Sequence, residues 1–451
     1  MSSLLLAAQG IILVPAARAD DFVAFSDEQL RIMQRKITKS FPQGRIITDA
    51  PLQEYLEGLG LSLRGRERTY VTASSDKAIN AFAIWSDSIV IYSGIIALCE
   101  TEAELAGIIA HEQAHVSSRH LMRLADQTGF LNQLTALGLM IALFTQSEDA
   151  MEIFAGARSL QRSAQYSVQR DLEREADQQA IEAMGEAGFD LEGYLRALQR
   201  IHDSSGGGSP PEYMSTHPIS TNRIAEVRSY IRNFESRSSS RRNAAHEADE
   251  LSFLLARERA KHIANITGGK KAEGPYAAAA EAYGRLLRRA IEPQAALDIL
   301  LPYAGNWLVA YELAEMLINH GDLENAVRII EEARAFVPDN PALLARLLSI
   351  LGRSGNGAAA RRILRLMDPE LRLRPAIAAA EVRLWHELDD ELRYRIAVAH
   401  AKYVNGDISG LKREIEQLQK SAEDQPPSAA LGRLELLAGK LANLESLLEE
   451  E

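Results

Sequence analysis

The sequence predicts a mainly α chain in two parts: an α+β domain with a small β-sheet, then an α-helical solenoid of stacked helix pairs. Three observations point there. At 451 residues the chain is too long for one compact core, so it divides into domains. Stretches rich in β-branched and aromatic residues are few and lie before residue 100. After residue 250 the pattern is Ala- and Leu-rich helix with recurrent Gly-Asp turns.

An apolar run, Leu4 to Val14, leads into Ala17-Arg18-Ala19 ahead of Asp20-Asp21. Small residues flanking a cleavage point after such a run predict a signal peptide over 1–19, cut after Ala19. No Lys or Arg precedes the run, which leaves open a different start or a short core helix. It is too short to span a bilayer, which takes roughly 20 apolar residues. Cys99 is the only cysteine and is expected as a small buried hydrophobe. Export with no possible intramolecular disulfide fits the bacterial periplasm. A net charge of −12 argues against a nucleic-acid partner, because phosphate affinity rests on clustered Lys and Arg.

The first domain is expected over 20–235. It begins with a helical segment, DEQLRIMQRKI, and the extended pieces RTYVTASS and SIVIYSG. From Thr101 to about Phe234 it reads as helix, broken by SSGGGSPP at Ser204 to Pro211, a loop signature. The most apolar internal run, Leu134 to Phe144, has eleven residues; it suits a buried or lid helix with at most peripheral membrane contact. A composition shift at SRSSSRRN predicts a linker over 236–250, with the solenoid over 251–451. With Trp307 as position one of a 34-residue unit, Leu313, Ala314, Leu317, Gly321, Ala326, Ile330, Ala333 and Pro338 fall on the tetratricopeptide signature. A second unit from Pro341 keeps register through Leu347, Leu348, Leu351, Gly355, Ala360 and Leu364. Flanking pairs at Tyr276 to Leu301 and Leu392 to Leu418 read as degenerate units, and stacked pairs leave a concave face for extended partners.

The chemistry concentrates in IIAHEQAHVSSRH, Ile108 to His120. Thr101-Glu102-Ala103-Glu104 is a capping box, so a helix starts there and runs through the histidines. At about 100° per residue, His111 and His115 lie about 40° apart and can share one ion, whereas His120 points elsewhere. HEQAH is thus an HExxH arrangement: two imidazoles for zinc and Glu112 as general base. A third ligand is needed; Ser118 and Leu121 exclude the form in which another histidine follows. A later glutamate is the alternative, and in YSVQRDLEREADQQAIEAM geometry alone does not choose between Glu173 and Glu175.

HEQAH followed by Glu173-Arg174-Glu175-Ala176-Asp177 resembles the gluzincin family of HtpX and the CAAX prenyl proteases. Asn80-Ala81-Phe82-Ala83 upstream and Thr216-His217-Pro218 with Arg223-Ile224 downstream sharpen the likeness. With the signal peptide and repeats, the arrangement is similar to periplasmic members of that family. The resemblance implies a zinc endopeptidase with one Zn2+ on His111, His115 and Glu173, Glu112 as base, and Asp177 orienting a zinc histidine. It implies that His217 can take the fourth zinc position as a plug, and that Arg223 either contacts the site or pairs with a carboxylate. Asn80, Ala81 and Phe82 would lie in an edge strand that binds substrate by main-chain hydrogen bonds. The implied partners are unfolded or misassembled outer-membrane proteins and, through the repeats, the β-barrel assembly machinery. A competing expectation is a chaperone for outer-membrane protein assembly whose zinc site is normally plugged.

Overall fold

A computed structural model describes residues 49–64, 70–85, 88–118, 120, 162–205, 210–238, 249–422 and 429–449. The expected signal peptide, the DEQLRIMQRKI helix, the apolar run Leu134 to Phe144 and most of the linker lie outside the described residues.

Helix α1 (Ala50–Arg64) precedes three strands, β1 (Tyr70–Ser74), β2 (Ala81–Trp85) and β3 (Ser88–Tyr92). Their order is β1-β3-β2, with β1 parallel and β2 antiparallel to β3. The central strand β3 reads Ser-Ile-Val-Ile-Tyr and is buried along its whole length, as a strand covered on both faces must be. The outer edge of β2 therefore borders no further strand among the described residues. A short helix α2 (Ser93–Leu98) leads to α3 (Glu102–Ser117), which carries His111 and His115. Thr101 caps α3 by accepting from the Glu104 amide at 3.3 Å. Glu104 departs from the reciprocal capping pattern: its carboxylate accepts from the Glu100 amide and from Arg200. Among its sixteen residues only His115 and Ser117 escape full burial, so α3 is a core element.

Against α3 pack α4 (Arg162–Ala187) and α5 (Leu191–Asp203); after the short α6 (Glu212–Thr216), α7 (Thr221–Ser238) packs on α4 and α5. Two glycines set the α3–α5 distance. A Cβ on Gly107 would come within 2.6 Å of Tyr194, and one on Gly193 within 2.6 Å of Ala103. This reciprocal contact presses Tyr194 against the histidine face of α3.

Beyond the linker, α8 (Glu250–Ile263) packs on α1 and α2. Then follow α9 (Ala277–Leu287), α10 (Pro293–Leu300), α11 (Trp307–Asn319), α12 (Leu323–Arg334), α13 (Pro341–Arg353), α14 (Gly357–Leu366), the one-turn α15 (Pro369–Arg372), α16 (Pro375–Glu387), α17 (Glu391–Val404), α18 (Ile408–Ala422) and α19 (Ala429–Glu449). One turn recurs between them. Gly321, Gly355 and Gly406 sit at φ +80°, +70° and +70°. The next residue, Asp322, Asn356 or Asp407, returns its amide to the preceding helix at 2.9 Å. Its side chain then accepts an amide of the following helix, at Asn325, Ala359 or Gly410. That is a glycine C-terminal stop fused to an N-cap, and it explains why Gly-Asp or Gly-Asn marks these three turns in the sequence.

Helices α11, α13 and α16 begin at Trp307, Pro341 and Pro375, 34 residues apart. The pair expected at Leu392 to Leu418 is present as helices α17 and α18, but the 34-residue spacing makes α17 the second helix of a unit opened by Pro375. That unit was hidden because its turn uses Asp389 at φ +55°, followed by the cap Asp390, instead of glycine. A contiguous apolar core runs from Leu52 in α1 to Ala397 in α17, and a smaller one closes the far end around Leu411, Ile415 and Leu434. Arg259 on α8 joins the two halves, bonding Asp49 at 2.6 Å, Glu312 at 2.8 Å and Tyr283 at 2.8 Å. Arg374 does the same from before α16, reaching Glu54 at 2.7 Å and also Glu57 on α1.

Candidate metal centre

The capped start of α3 and its helical spacing bring His111 and His115 to one side, with ring centroids 4.7 Å apart. Helix α4 crosses α3 and contributes Glu173 and Asp177, one turn apart on the same face. The chain after α6 supplies His217, whose amide bonds the Tyr213 carbonyl at 2.8 Å. His111, His115, Glu173 and His217 each offer a ligand atom, and these atoms lie within 4.8 Å of one another. His111 Nε2 is 3.0 Å from His115 Nε2, 3.3 Å from His217 Nδ1 and 3.4 Å from Glu173 Oε2. Glu173 Oε1 is 3.4 Å from His115 Nε2 and 3.0 Å from His217 Nδ1.

These separations test the group against a metal ion. A tetrahedral ion with bonds of about 2.0–2.1 Å to its ligands holds their donor atoms about 3.3 Å apart, close to the observed edges. Three imidazoles and one carboxylate are the donor set such an ion takes. Glu112, wholly buried, has both carboxylate oxygens without a hydrogen-bond partner among the described residues. His217 Nε2 approaches one of them at 3.6 Å. A buried carboxylate with no donor is costly unless another polar group serves it, and a water at the centre would do so. The residues fit.

The surroundings orient the ligands. His111 Nδ1 faces Asp177 Oδ1 at 3.1 Å and the Tyr194 hydroxyl at 3.0 Å, and that hydroxyl donates to Asp177 at 2.6 Å. With Nδ1 holding the hydrogen, Nε2 is left bare toward the cluster. Arg223 bonds Asp177 through Nε at 2.9 Å and Nη2 at 2.8 Å and pairs with Glu173 at 2.7 Å, so it both contacts the site and balances two buried acids. Burial pushes the Asp177 carboxyl up, but Arg223 and His111 outweigh it and hold it at about 2. Burial likewise opposes Glu173, which His217 and Arg223 keep well below the usual carboxylate range. For His111, burial disfavours the cation, yet the bonds to Asp177 and Glu173 prevail and raise it to about 9. The same negative surroundings favour a bound metal cation.

Asn80 ties the start of strand β2 to the segment leading to His217: its side chain donates to Glu212 at 3.3 Å, while the Tyr213 amide bonds the Ile79 carbonyl at 3.1 Å. Ala81 and Phe82 are both buried, on opposite faces of the sheet. The reading of His120 as pointing elsewhere needs revision. Helix α3 ends at Ser117, and His120, just beyond, turns its Nδ1 back to His115 Nδ1 at 2.9 Å. It stands outside the four-ligand group but touches it. Glu175 faces His120 Nε2 at 3.5 Å, away from the cluster, so Glu173 is the glutamate brought to the ligands. Tyr194 and Tyr213 escaped the sequence reading. Tyr213 stacks on His217 with centroids 4.6 Å apart; neither tyrosine has a motif spacing that announces it.

Comparison with known proteins finds a likeness over these same residues. The model of peptidase family M48 matches residues 48–231, the part of the chain that holds every residue of this centre. Over those residues the chain resembles peptidase family M48. The chain is similar to the beta-barrel assembly-enhancing protease of Escherichia coli strain K12, 28% identical over 192 residues, covering 41% of this chain and 39% of that protein. The protein of the same name from Yersinia pestis is 27% identical over 192 residues, 41% of this chain and 40% of its own. A mitochondrial metalloendopeptidase of Schizosaccharomyces pombe is 27% identical over 157 residues, 35% of this chain and 44% of its own. The chain thus spans about two fifths of the relatives it matches. No helix among the described residues is long and apolar enough to cross a membrane.

Proposed function

We propose that this chain is a zinc-dependent endopeptidase of the bacterial periplasm that hydrolyses peptide bonds in misfolded or stalled outer-membrane proteins. The observation that carries it is the four-group cluster with the buried, unpartnered Glu112 beside it. Zinc on His111, His115 and Glu173 would supply Lewis acidity, polarising the scissile carbonyl and activating the attacking water at neutral pH. Glu112 takes the proton from that water and passes it to the leaving amine. Asp177 and Tyr194 fix the His111 tautomer, and Arg223 balances Glu173 and Asp177. An unfolded segment adds along the outer edge of β2, from Asn80 through Phe82, and is aligned by main-chain hydrogen bonds.

The names of the bacterial relatives support the substrate class. The helix pairs after residue 250, spaced 34 residues apart, serve as tetratricopeptide-type repeats that hold substrate or the β-barrel assembly machinery. The peptidase part ends near residue 235 and the linker near 250. The test is purified protein with an unfolded outer-membrane β-barrel protein: cleavage that a chelator abolishes and zinc restores supports the reading. Cleavage indifferent to chelator contradicts it.

A second reading, a chaperone for outer-membrane protein assembly, is favoured by one observation. His217 closes the fourth corner of the cluster, where a catalytic centre keeps an open position. Complementation of a deletion strain by Glu112→Gln would select the chaperone; failure with accumulation of a misfolded outer-membrane protein would select the protease.

A further inference from the structure

The two ligand histidines of α3 have different outer partners. His111 leans on a carboxylate, Asp177. His115 leans on another imidazole: His120, only 2% exposed, meets it Nδ1 to Nδ1 at 2.9 Å with the rings nearly perpendicular at 82°. Two ring nitrogens at that distance share one hydrogen, so one must donate and the other accept. If His115 turns a bare Nε2 toward the cluster, its Nδ1 is the donor. His120 Nδ1 then accepts, and the His120 hydrogen moves to Nε2, which faces Glu175 Oε2 at 3.5 Å. The local fold holds this geometry. The end of α3, two residues after His115, is pinned to α4 by Gln179, which donates to Ser118 at 2.7 Å and accepts from Ser117 at 3.4 Å.

We propose that His120 is a positioning residue of the metal centre, fixing the tautomer and ring orientation of His115, with Glu175 supporting His120 from the solvent side. The three acids of the Glu173 to Asp177 segment then divide the work: Glu173 as ligand, Asp177 behind His111, Glu175 behind His120. This rests on the metal-site reading above and concerns a contact outside its four ligands.

The test is zinc affinity by competition with a chromophoric chelator, beside thermal unfolding of the metal-free protein. His120→Leu fills the space but cannot accept from His115, and zinc affinity should fall about 10- to 100-fold. His120→Gln, whose amide oxygen can accept, should recover most of that loss. Glu175→Gln, at a partly exposed position, should weaken binding severalfold. An affinity within twofold of wild type in His120→Leu overturns the proposal, as does a Gln variant no better than Leu. If His120→Leu does not fold, Glu175→Gln decides, and an unchanged affinity there overturns it. Wild-type protein that binds no zinc would sink the metal-site reading instead.

Discussion

At the scale of single residues, His217 has the largest leverage. Its Nδ1 stands at the fourth corner of the cluster, 3.0 Å from Glu173 and 3.3 Å from His111, and the segment carrying it is also held by the Tyr213 stack, the Ile79 carbonyl and Asn80. Removing the imidazole opens that corner. His217→Ala should therefore cleave an unfolded substrate faster, by roughly tenfold if the closed form dominates, while binding zinc more weakly. Slower cleavage with weaker zinc binding would make His217 an obligatory ligand. His111, Glu112 and His115 were legible from sequence because helical periodicity converts spacing directly into direction. Glu173 was legible only by resemblance, since spacing allowed Glu175 equally. The contact of His120 was not legible: the wheel argument assumed a helix that in fact stops at Ser117.

At the scale of elements, the centre depends on how closely α5 lies on α3. Gly107 and Gly193 permit that approach, and Tyr194 reaches both His111 and Asp177 because of it. Gly107→Ala should improve the intrinsic helix preference of α3 yet destabilise the protein by about 1–3 kcal/mol through overpacking against Tyr194. Thermal unfolding measures this, and a raised midpoint would show that the contact relaxes freely. Capping and turn chemistry at Thr101 and at the Gly-Asp pairs could be read directly. Positive φ at Asp389 could not, because aspartate does not announce a left-handed conformation as glycine does.

At the scale of the whole molecule, the helices after residue 250 share a core with the part that carries the metal cluster, and Arg259 and Arg374 clamp them to its first helix. Their far end rests on a buried charge cluster. Glu381 on α16 bonds Arg433 of α19 through Nη2 at 2.9 Å and Arg372 at 2.9 Å, with His400 of α17 at 4.0 Å. Burial opposes the Glu381 charge, but Arg433 and Arg372 hold it at about 2. Burial and Arg433 keep His400 neutral, down at about 3. Both groups bind protons more readily when unfolded, so the stability each gives at neutral pH is lost as pH falls. The His400 contribution fades as pH falls from about 6.5 toward 3, and that of Glu381 from about 4.5 toward 2. His400→Phe should therefore lose less stability than wild type as pH falls from 6.5 to 3; identical pH profiles would contradict this.

The central claim is that one glutamate does the proton transfer at a metal held by its neighbours. Paired metal analysis and peptide-bond cleavage on wild type and Glu112→Gln address it most directly. The account predicts one zinc per chain in both proteins, with cleavage falling by at least about 100-fold in the variant. Purified Glu112→Gln that cleaves unfolded substrate at the wild-type rate would contradict it.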